Sequence, residues 1–481
     1  MQEIKNYIGG KFMPAVSGLY LDNVNPATGK VYSKIPDSDK RDVDLAVIAA
    51  GDAFQKWSKW PAEQRSKVLL RIAEEIEKNA DRLALAESID NGKPLKLAAA
   101  IDIPRAASNF QFYATGILHD STHAYFTEGK AVNYAIRQPI GIAGCISPWN
   151  LPLYLFTWKI APALASGCTV VAKPSEITPM TAYLLSELCE AAGLPPGVLN
   201  IVHGLGSKVG EAIVSHPQIP VLSFTGGTQT GAQISSIAAP KFKKMSLELG
   251  GKNPNLIFSD CNYEKMLQTT LLSSFSNQGQ ICLCGSRIFI EHDLYDQFRK
   301  DFVEATNKLK VGAPLAPETK IGAVVSQSHL EKIQGYLKLA LEEGGKILCG
   351  GQRVILDGEF KDGFYLQPTV IENLAYDCRT NQEEIFGPVV TITPFQDEKE
   401  VLAWANSTQY GLSATIWTQN LERAHRVAHH LEAGIVWINC WLQRDLRTPF
   451  GGVKSSGLGR EGGFEAIEFF TEQKNICVQL N

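Results

Sequence analysis

Hydrophobic and polar positions follow a helical period in the first hundred residues and form shorter, strand-like runs after residue 140. Residues 44–96 have the helical pattern. Four apolar residues are spaced i, i+3, i+4 and i+7 and therefore share one helix face: Leu69, Ile72, Ala73 and Ile76. A second helical stretch is predicted over residues 95–118. The amino-terminal part of the chain is therefore expected to be mainly helical.

The pattern changes after residue 140, where short apolar runs are separated by helix-like segments. Four such runs lie at residues 141–147, 168–174, 198–204 and 221–227. This alternation predicts βαβ units and a parallel sheet that is covered by helices on both faces. It resumes after residue 253 with the runs NLIF, RIFIE, VVTITPF and IVWINC. We therefore predict two consecutive α/β domains.

Two further segments, residues 131–138 and 475–481, alternate like strands but belong to neither predicted core. We expect them to form an edge sheet that is used for subunit contact.

Charge and local composition exclude two classes of partner. The chain has 46 Lys and Arg against 50 Asp and Glu, a net charge of −4, which argues against nucleic-acid binding. Residues 139–158 carry no charge over the length of a membrane span. Their prolines and glycines would interrupt a spanning helix, so two buried strand-and-turn pieces are predicted there and no membrane contact is expected.

The cysteines point to a reducing environment. Ten cysteines in 481 residues are too few for a disulfide scaffold. The close pair Cys282 and Cys284 has no histidine cluster beside it, so no metal site is predicted. The start, MQEIKNYIGGKF, has no apolar signal core. The expected location is the cytoplasm.

Two glycine-rich loops, residues 203–210 and 224–231, each follow a predicted strand and precede a predicted helix. Such turns let the backbone approach a phosphate at a helix amino terminus. Neither has the spacing of a dinucleotide fingerprint or the lysine of a P-loop. Taken alone, each loop fits an ordinary strand-to-helix turn equally well.

Three residues are candidates for catalysis. Cys282 lies in FSNQGQICLCGSR, a stretch with few bulky side chains that would leave a nucleophile accessible, although a buried inert cysteine fits as well. Glu248 lies between two leucines, which would raise its pKa toward that of a general base; the alternative is a surface glutamate at a strand end. Asn150, in a proline-rich turn, is either an oxyanion donor or a residue that bonds its own turn.

The motifs SPWN, KPSE, FTGGTQTG, LELGGKNP, FSNQGQICLCGSR, EEIFGP and PFGGVKSSGLGREGG, in this order, resemble the NAD(P)-dependent aldehyde dehydrogenase superfamily over essentially the whole chain. The resemblance implies the α/β fold of that family, with a Rossmann-like parallel-sheet NAD-binding domain, an α/β catalytic domain and a small oligomerisation β-element. The implied bounds are residues 1–119 with 140–250, residues 251–448, and residues 120–139 with 465–481. The implied assembly is a homodimer or homotetramer.

The same resemblance implies catalytic roles. Cys282 matches the nucleophile, Asn150 the side-chain donor to the oxyanion, and Glu248 the base that activates water to hydrolyse a thioester. A dehydrogenase that acylates coenzyme A commonly lacks that glutamate, so its presence favours hydrolysis. A non-enzymatic protein on this scaffold would be expected to lack the cysteine.

NAD is the implied cofactor. Lys173 and Glu176 match the residues that hold the adenine ribose, where a carboxylate repels a 2′-phosphate and favours NAD over NADP. Ser175 beside them leaves NADP open. Gly226 and Gly227 match the pyrophosphate loop, although many relatives have serine at the second position. The other cofactor residues implied are Ile146, Ser147, Trp149, Gly206, Gly210, Phe224, Thr225, Leu249, Glu384 and Phe386.

Within the family, the chain most resembles the branch that oxidises muconic semialdehydes, the 2-amino compound first and the 2-hydroxy compound next. The stretches that carry this resemblance are residues 102–114, 147–165, 277–288 and 439–452. This implies a place in tryptophan catabolism through the kynurenine pathway. A broader aldehyde or betaine aldehyde dehydrogenase is the alternative.

Muconic semialdehydes carry a carboxylate opposite the aldehyde, and a guanidinium binds carboxylate through two parallel hydrogen bonds. The resemblance places Arg105 beside the substrate tunnel and Arg444 at its mouth, so we predict that both hold the substrate. Alternatively, Arg105 pairs with Asp102, Arg444 pairs with Asp445, or Arg447 is the working residue.

Two neighbours of the implied site have open roles. Trp158 matches an aromatic position of the family tunnel but also fits plain core packing. Cys284 would point to the same side as Cys282 if that stretch were extended, so an off-pathway disulfide is one possibility and simple packing the other.

Overall fold

The apolar runs after residue 140 form the centre of an eight-stranded sheet in a computed structural model that describes residues 1–480. In spatial order its strands are Gly457–Leu458, Lys244–Glu248, Val221–Thr225, Ile142–Ile146, Thr169–Lys173, Leu199–Ile201, Asn6–Ile8 and Lys11–Met13. The five strands between residues 142 and 248 are parallel, and the outer three pair antiparallel. The central strands are buried on both faces, as the continuous apolar runs predict.

The strand order of this first sheet reverses between Ile142–Ile146 and Val221–Thr225. The chain passes from the former outward to one edge, returns, and continues to the other edge. In open α/β sheets a ligand binds in the crevice outside the carboxyl ends of the strands at such a reversal. The turns after these two strands are therefore the place to look for a cofactor.

A second sheet of seven strands lies after residue 253. Its spatial order is Lys346–Cys349, Thr369–Glu372, Val389–Phe395, Gly285–Glu291, Asn253–Ile257, Ser413–Trp417 and Ile435–Ile438. All neighbouring strands are parallel except the first pair. The prediction of two α/β units is confirmed, while the predicted domain bounds stay a prediction.

The helical part before residue 120 is divided more finely than the sequence pattern indicates. The helical pattern predicted over residues 44–96 corresponds to three helices, of which the first begins four residues earlier: Lys40–Trp57, Ala62–Lys78 and Ala80–Asn91. The predicted stripe from Leu69 to Ile76 is fully buried. The stretch over 95–118 is a short helix, Leu95–Leu97, a π-helical turn, Ala98–Asp102, and a longer helix, Ile103–Gly116.

The remaining helices cover the two sheets. They are Pro152–Ala165, Met180–Ala191, Glu211–Ser215, Thr228–Ala238, Tyr263–Phe275, His292–Asn307, Gln327–Glu342, Arg379–Gln382, Glu398–Ala405, Leu421–His430 and Gly463–Phe469. The uncharged stretch 139–158 enters the first sheet as Ile142–Ile146 and then begins the helix Pro152–Ala165, so its second piece is helical and not a strand. Among residues 1–480, no helix has both the length and the apolar character that a membrane crossing requires.

The two extended segments outside the cores pair with each other. Ala131–Pro139 lies antiparallel between Thr471–Gln479 and Ala124–Thr127 in a three-stranded sheet. The predicted edge sheet is thus confirmed, and its use in subunit contact stays a prediction. Asn481, the last residue of the predicted segment, lies outside the described residues.

The remaining short strands of residues 1–480 form three small sheets. They are Gln2–Glu3, Lys30–Pro36 and Tyr20–Asn25 in one sheet, Arg353–Val354 with Tyr365–Leu366, and Tyr410–Gly411 with Val453–Lys454.

Candidate active site

Cys282 lies on a turn that leads into the strand Gly285–Glu291 of the second sheet. The backbone N–H of Cys284 donates to the carbonyl of Ile281 over 3.0 Å and closes this turn. The side-chain amide of Asn253 donates to the carbonyls of Cys282 and Cys284, at 2.7 and 2.9 Å. The stretch is therefore a turn, so the extended geometry that would align the thiols of Cys282 and Cys284 is absent.

Cys282 opens onto a cavity of about 810 Å³, counting its mouth. The wall is mostly apolar and aromatic, with Tyr154, Trp158, Ile281, Trp441, Leu442 and Phe450. Four charged residues line the same wall: Glu248, Arg444, and Asp102 and Glu461, whose carboxylates pair with Lys93 and Lys159. A nucleophile, a carboxylate and a guanidinium thus share one apolar chamber.

Glu248 ends the strand Lys244–Glu248 and is buried. Its Oε1 has no hydrogen-bond partner among residues 1–480. A Cβ atom at Gly451 would lie 2.9 Å from that oxygen, so glycine there leaves the carboxylate room. Burial raises the pKa of Glu248 well above its usual range, and the nearby carboxylate of Glu461 raises it further, against the cation of Lys159. Such a group can accept a proton near neutral pH.

The thiol of Cys282 is held in its protonated form. Burial raises its pKa, the carboxylates of Glu248 and Glu384 add to this, and the guanidinium of Arg444 opposes them. The site therefore provides access but does not by itself favour the thiolate. A base must remove the proton before the sulfur can attack.

Asn150 is buried in the turn after the strand Ile142–Ile146. Its Nδ2 donates to the carbonyl of Gln280 over 3.0 Å, two residues before Cys282. The amide carries two protons, so one remains for a ligand in the cleft. The alternative, in which the amide bonds its own turn, is not the arrangement observed.

A second cleft, of about 750 Å³ counting the open solvent at its mouth, meets the first at Cys282 and lies where the strand order reverses. Its walls include seven of the predicted cofactor residues: Trp149, Thr225, Gly226, Gly227, Leu249, Glu384 and Phe386. The hydroxyls of Ser147 and Thr225, at the strand ends, are buried without a partner in the part of the chain described. Unpaired buried hydroxyls are costly, so these two atoms fit a polar ligand here.

The pyrophosphate loop and its floor fit a close backbone approach. Gly227 caps the helix Thr228–Ala238, and a Cβ atom there would meet open space. A Cβ atom at Gly226 would lie 2.4 Å from the ring of Phe224. A helix amino terminus beside glycine is a favourable place for a phosphate.

The KPSE segment lies at the end of the neighbouring strand, Thr169–Lys173. The ammonium of Lys173 lies 2.8 Å from Glu176 Oε2, and Glu176 Oε1 accepts the N–H of Gly206 over 3.4 Å. Burial opposes ionisation of Glu176, but Lys173 outweighs it and lowers the pKa of that carboxyl. Ser175 instead accepts the N–H of Ile177 within its own loop.

Two more predicted cofactor positions support this edge of the sheet. Ile146 is buried at the end of its strand. A Cβ atom at Gly210 would lie 3.8 Å from the side chain of Lys173, so the loop at 203–210 packs against KPSE.

The sequence did not indicate two residues that line the cofactor cleft, His329 and Lys332 on the helix Gln327–Glu342. His329 Nε2 lies 2.7 Å from the carbonyl of Phe386, a residue with a left-handed φ of 62°. Burial lowers the pKa of His329 to about 4, so the ring is neutral. Lys332 donates to the carbonyl of Glu384 over 3.1 Å. No motif marks this helix.

Arg444 lies over two aromatic rings of the substrate cavity. Its guanidinium carbon is 4.0 Å from the ring centroid of Phe450 and 5.5 Å from that of Trp158. Asp445, the predicted alternative partner, pairs with Arg447 at 2.6 Å. Within residues 1–480, Arg444 forms no ion pair. Trp158 is almost completely buried and also lines the cavity, so both interpretations of it hold.

Arg105 lies outside the cavity wall, against Tyr154. Its guanidinium carbon is 5.6 Å from the ring centroid of Tyr154, whose side chain lines the cavity, and Arg105 itself is not part of the wall. The alternative pairing with Asp102 is absent, because Asp102 pairs with Lys93.

Comparison with known proteins gives one consistent answer. The model of the aldehyde dehydrogenase family matches residues 12–476. The chain is similar to the 2-aminomuconic semialdehyde dehydrogenase of Mus musculus, with 50% identity over 479 residues, 99% of this chain and 98% of that protein. It is 45% identical over 486 aligned positions to the 2-hydroxymuconic semialdehyde dehydrogenase of Pseudomonas sp. (strain CF600), and the alignment covers 100% of both chains. The NAD+ complex structure of aldehyde dehydrogenase from Bacillus cereus matches with a TM-score of 0.97 and 37% identity, over 100% of this chain and 97% of that chain.

Proposed function

Because the chain belongs to the aldehyde dehydrogenase family, we propose that it oxidises 2-aminomuconate 6-semialdehyde to 2-aminomuconate with NAD. The observation that carries this proposal is the guanidinium of Arg444, which shares the cavity of Cys282 and has no ion-pair partner among residues 1–480. The 2-hydroxy substrate is the second candidate, favoured by the similarity to the Pseudomonas enzyme named above.

The reaction begins at Cys282. Glu248, on the same cavity wall, accepts the thiol proton, and the sulfur attacks the aldehyde carbon. The free Nδ2 proton of Asn150 and the backbone N–H of Cys282 donate to the oxyanion of the resulting thiohemiacetal. Bound NAD would supply the acceptor for the hydride that leaves this carbon, so that a thioester remains on Cys282.

Hydrolysis completes the cycle. Glu248 first releases the thiol proton to solvent and then takes a proton from water, and the hydroxide adds to the thioester carbonyl. The sulfur of Cys282 leaves as a thiolate and recovers the proton from Glu248, while the carboxylic acid that forms ionises. The buried ion pair of Lys159 and Glu461, 2.8 Å apart, helps to set the pKa of Glu248: the carboxylate of Glu461 raises it and the ammonium of Lys159 lowers it. A solvent-exposed glutamate with its usual pKa would be a weaker base, so the burial that raises the pKa of Glu248 is part of its function.

The residues of the second cleft fit NAD. The amino terminus of the helix Thr228–Ala238, with Gly226 and Gly227, would hold the pyrophosphate, and Glu384 would hold the nicotinamide ribose. The ionised carboxylate of Glu176 would accept both adenine ribose hydroxyls and repel a 2′-phosphate. This supports NAD over NADP.

The substrate carboxylate is recognised by charge. Arg444 offers a planar donor pair whose faces already rest on Phe450 and Trp158, so its orientation is set before the substrate arrives. Arg105, whose guanidinium lies over the ring of Tyr154, adds positive charge outside the cavity wall and is close enough to contribute to the lowered pKa of Asp445. A carboxylate-bearing aldehyde therefore suits the cavity better than a neutral or cationic one.

The test compares two aldehydes in one variant. Replacing Arg444 by Met should lower kcat/KM for the muconic semialdehyde about 10- to 100-fold more than for hexanal, the loss expected for a charged hydrogen-bonded pair. Hexanal should lose at most the several-fold that follows from a higher pKa of Cys282. Arg447→Met is the matched control, because that arginine is exposed and already paired with Asp445. Equal losses on both aldehydes, or a wild-type preference for betaine aldehyde, would contradict the proposed substrate.

We also propose a cytoplasmic homo-oligomer. All ten cysteines are unbridged, and Cys282 requires a reducing environment to remain a thiol. On the three-stranded sheet, Tyr125 and Phe126 are 63% and 76% exposed, which suits a subunit contact. Light scattering of the purified protein would measure the assembly, and a monomer at micromolar concentration would contradict it.

A further inference from the structure

Three charged side chains without solvent exposure lie next to Asn150: Glu87, Lys93 and Asp102. Lys93 donates to the Asp102 carboxylate, and its ammonium lies 3.7 Å from Glu87. Two carboxylates and one ammonium that are removed from solvent are expensive to bury, and apolar residues would often stabilise such a site as well or better. Stability alone therefore does not account for this triad.

The triad holds the segment around Asn150 at two points. The third contact of the Lys93 ammonium is the backbone carbonyl of Asn150, 3.1 Å away. Glu87 Oε2 accepts the N–H of Leu153 over 3.3 Å, at the start of the helix Pro152–Ala165. The position of the Asn150 backbone, and with it the direction of its side-chain amide, is thus fixed from one side.

The nucleophile loop fixes the same carbonyl from the other side. Asn277 Nδ2 donates to the carbonyl of Asn150 over 2.9 Å and to that of Gln280 over 3.2 Å. Asn277 has a left-handed φ of 51°, which costs energy for a residue other than glycine and is held here by these contacts. The same side-chain amide thus holds both Asn150 and the turn of Cys282 in place.

The triad also reaches the substrate cavity. Asp102 ends the π-helical turn Ala98–Asp102, and both Asp102 and its neighbour Ile101 line the cavity. Turns of this kind occur mostly as single insertions in α-helices, often at functional sites. One short turn thus contacts both the substrate space and Lys93.

We propose that Lys93, held by Glu87 and Asp102, is a positioning residue that sets the oxyanion donor Asn150 against Cys282. The inference rests on the proposed function, because the position of Asn150 affects the rate only if the reaction forms an oxyanion on the Cys282 adduct. Lys93 touches neither substrate nor cofactor; it acts through the carbonyl of Asn150.

The test is Lys93→Met in the full-length enzyme, with the muconic semialdehyde and NAD. A displacement of about 1 Å costs about 100-fold, so kcat should fall about 10- to 100-fold, with both KM values within about twofold. Alkylation of Cys282 by iodoacetamide should keep its rate, because that reaction forms no oxyanion. The double variant Lys93→Met/Asn150→Ala should be no slower than Asn150→Ala, since Lys93 acts only through Asn150.

Lys243→Met is the matched control, because Lys243 is also a buried lysine that donates to a backbone carbonyl, that of His216, away from the site. Its kcat should stay within about twofold of wild type. If Lys93→Met leaves two unpaired carboxylates and does not fold, the isosteric variant Glu87→Gln/Lys93→Met/Asp102→Asn removes that charge and should show the same loss of kcat.

The inference is wrong if alkylation slows in parallel with kcat, if the losses of Lys93→Met and Asn150→Ala multiply, or if a folded variant keeps the wild-type kcat. A wild-type enzyme that oxidises no aldehyde would instead refute the proposed function, so the two failures are distinguishable.

Discussion

The cofactor cleft and the substrate cavity meet at Cys282 but are built differently. The cofactor cleft is built around strand ends and one helix amino terminus, with backbone exposed at Gly226 and Gly227 and side chains such as Trp149 and Glu384 around them. The substrate cavity is made of large side chains from distant segments, such as Tyr154, Trp441 and Phe450. The first surface follows from the topology of the sheet, whereas the second depends on which side chains meet.

Because of this difference, the two surfaces should respond differently to substitution of their side chains. A backbone cleft keeps its ligand when neighbouring side chains vary, because the N–H groups stay in place. A side-chain cavity changes its ligand with one substitution. We therefore expect variants of cavity side chains to change chemistry or substrate, and variants of the loop at residues 226 and 227 to change only the use of NAD.

The largest effect is expected at the boundary between the two surfaces. Cys282→Ala removes the nucleophile, and kcat should fall at least about 10⁴-fold, as it does when a covalent catalyst is lost. NAD binding, measured by thermal shift, should persist, because no backbone contact of the cleft changes. Cys284→Ala is the control: that thiol is buried in the same turn and should be dispensable. Loss of NAD binding in Cys282→Ala would mean that the two surfaces are not separable.

Glu248→Gln should lower turnover about 10²- to 10⁴-fold, the range of a general base. The amide cannot take a proton from water, so the thioester on Cys282 should accumulate and appear as added mass on the intact protein. Absence of that adduct, with hydride transfer intact, would assign hydrolysis to another base.

The contrast also explains what the sequence could predict. Alternating apolar runs and glycine loops gave the two sheets and the cofactor edge, because these depend on local periodicity and on backbone freedom. The raised pKa of Glu248 was predicted from its leucine neighbours, although the contribution of Glu461, 213 positions later in the chain, was not. His329 was missed because nothing near it in sequence distinguishes a cleft-lining histidine from any other on an amphipathic helix.

The recognition of the adenine ribose is the next smaller effect. Glu176→Gln keeps the shape but removes the charge that would repel a 2′-phosphate, so the preference for NAD over NADP should fall about 10-fold or more, the worth of one charged hydrogen bond. The ratio of kcat/KM for the two cofactors measures this. Glu190→Gln, a surface glutamate in the helix Met180–Ala191, should leave the ratio unchanged. An unchanged ratio in Glu176→Gln would point to another basis for cofactor choice.

A variant of Arg444 tests whether the wall of the substrate cavity also influences the pKa of Cys282. Its guanidinium opposes the burial that raises the pKa of Cys282, so Arg444→Met should raise that pKa further. The thiolate is the reactive form, and less of it is present at a given pH when the pKa is higher. Alkylation of Cys282 at pH 8 should therefore slow several-fold. The pH at which the alkylation rate begins to increase should be higher than in the wild type. A profile identical to wild type would limit Arg444 to substrate binding.

The smallest expected effect lies on the backbone surface, at Gly227. A side chain there meets open space, and the residue caps the helix Thr228–Ala238 with an extended backbone, so serine fits without strain. Its hydroxyl can donate to a cofactor phosphate, and the KM for NAD should fall about 2- to 10-fold, the net worth of one hydrogen bond. Gly227→Ala separates the hydroxyl from added bulk and should leave KM unchanged. Gly226→Ala, whose Cβ atom would press on the ring of Phe224, should raise KM instead. If serine and alanine at 227 act alike, the phosphate does not lie at this helix terminus and the backbone cleft is placed wrongly.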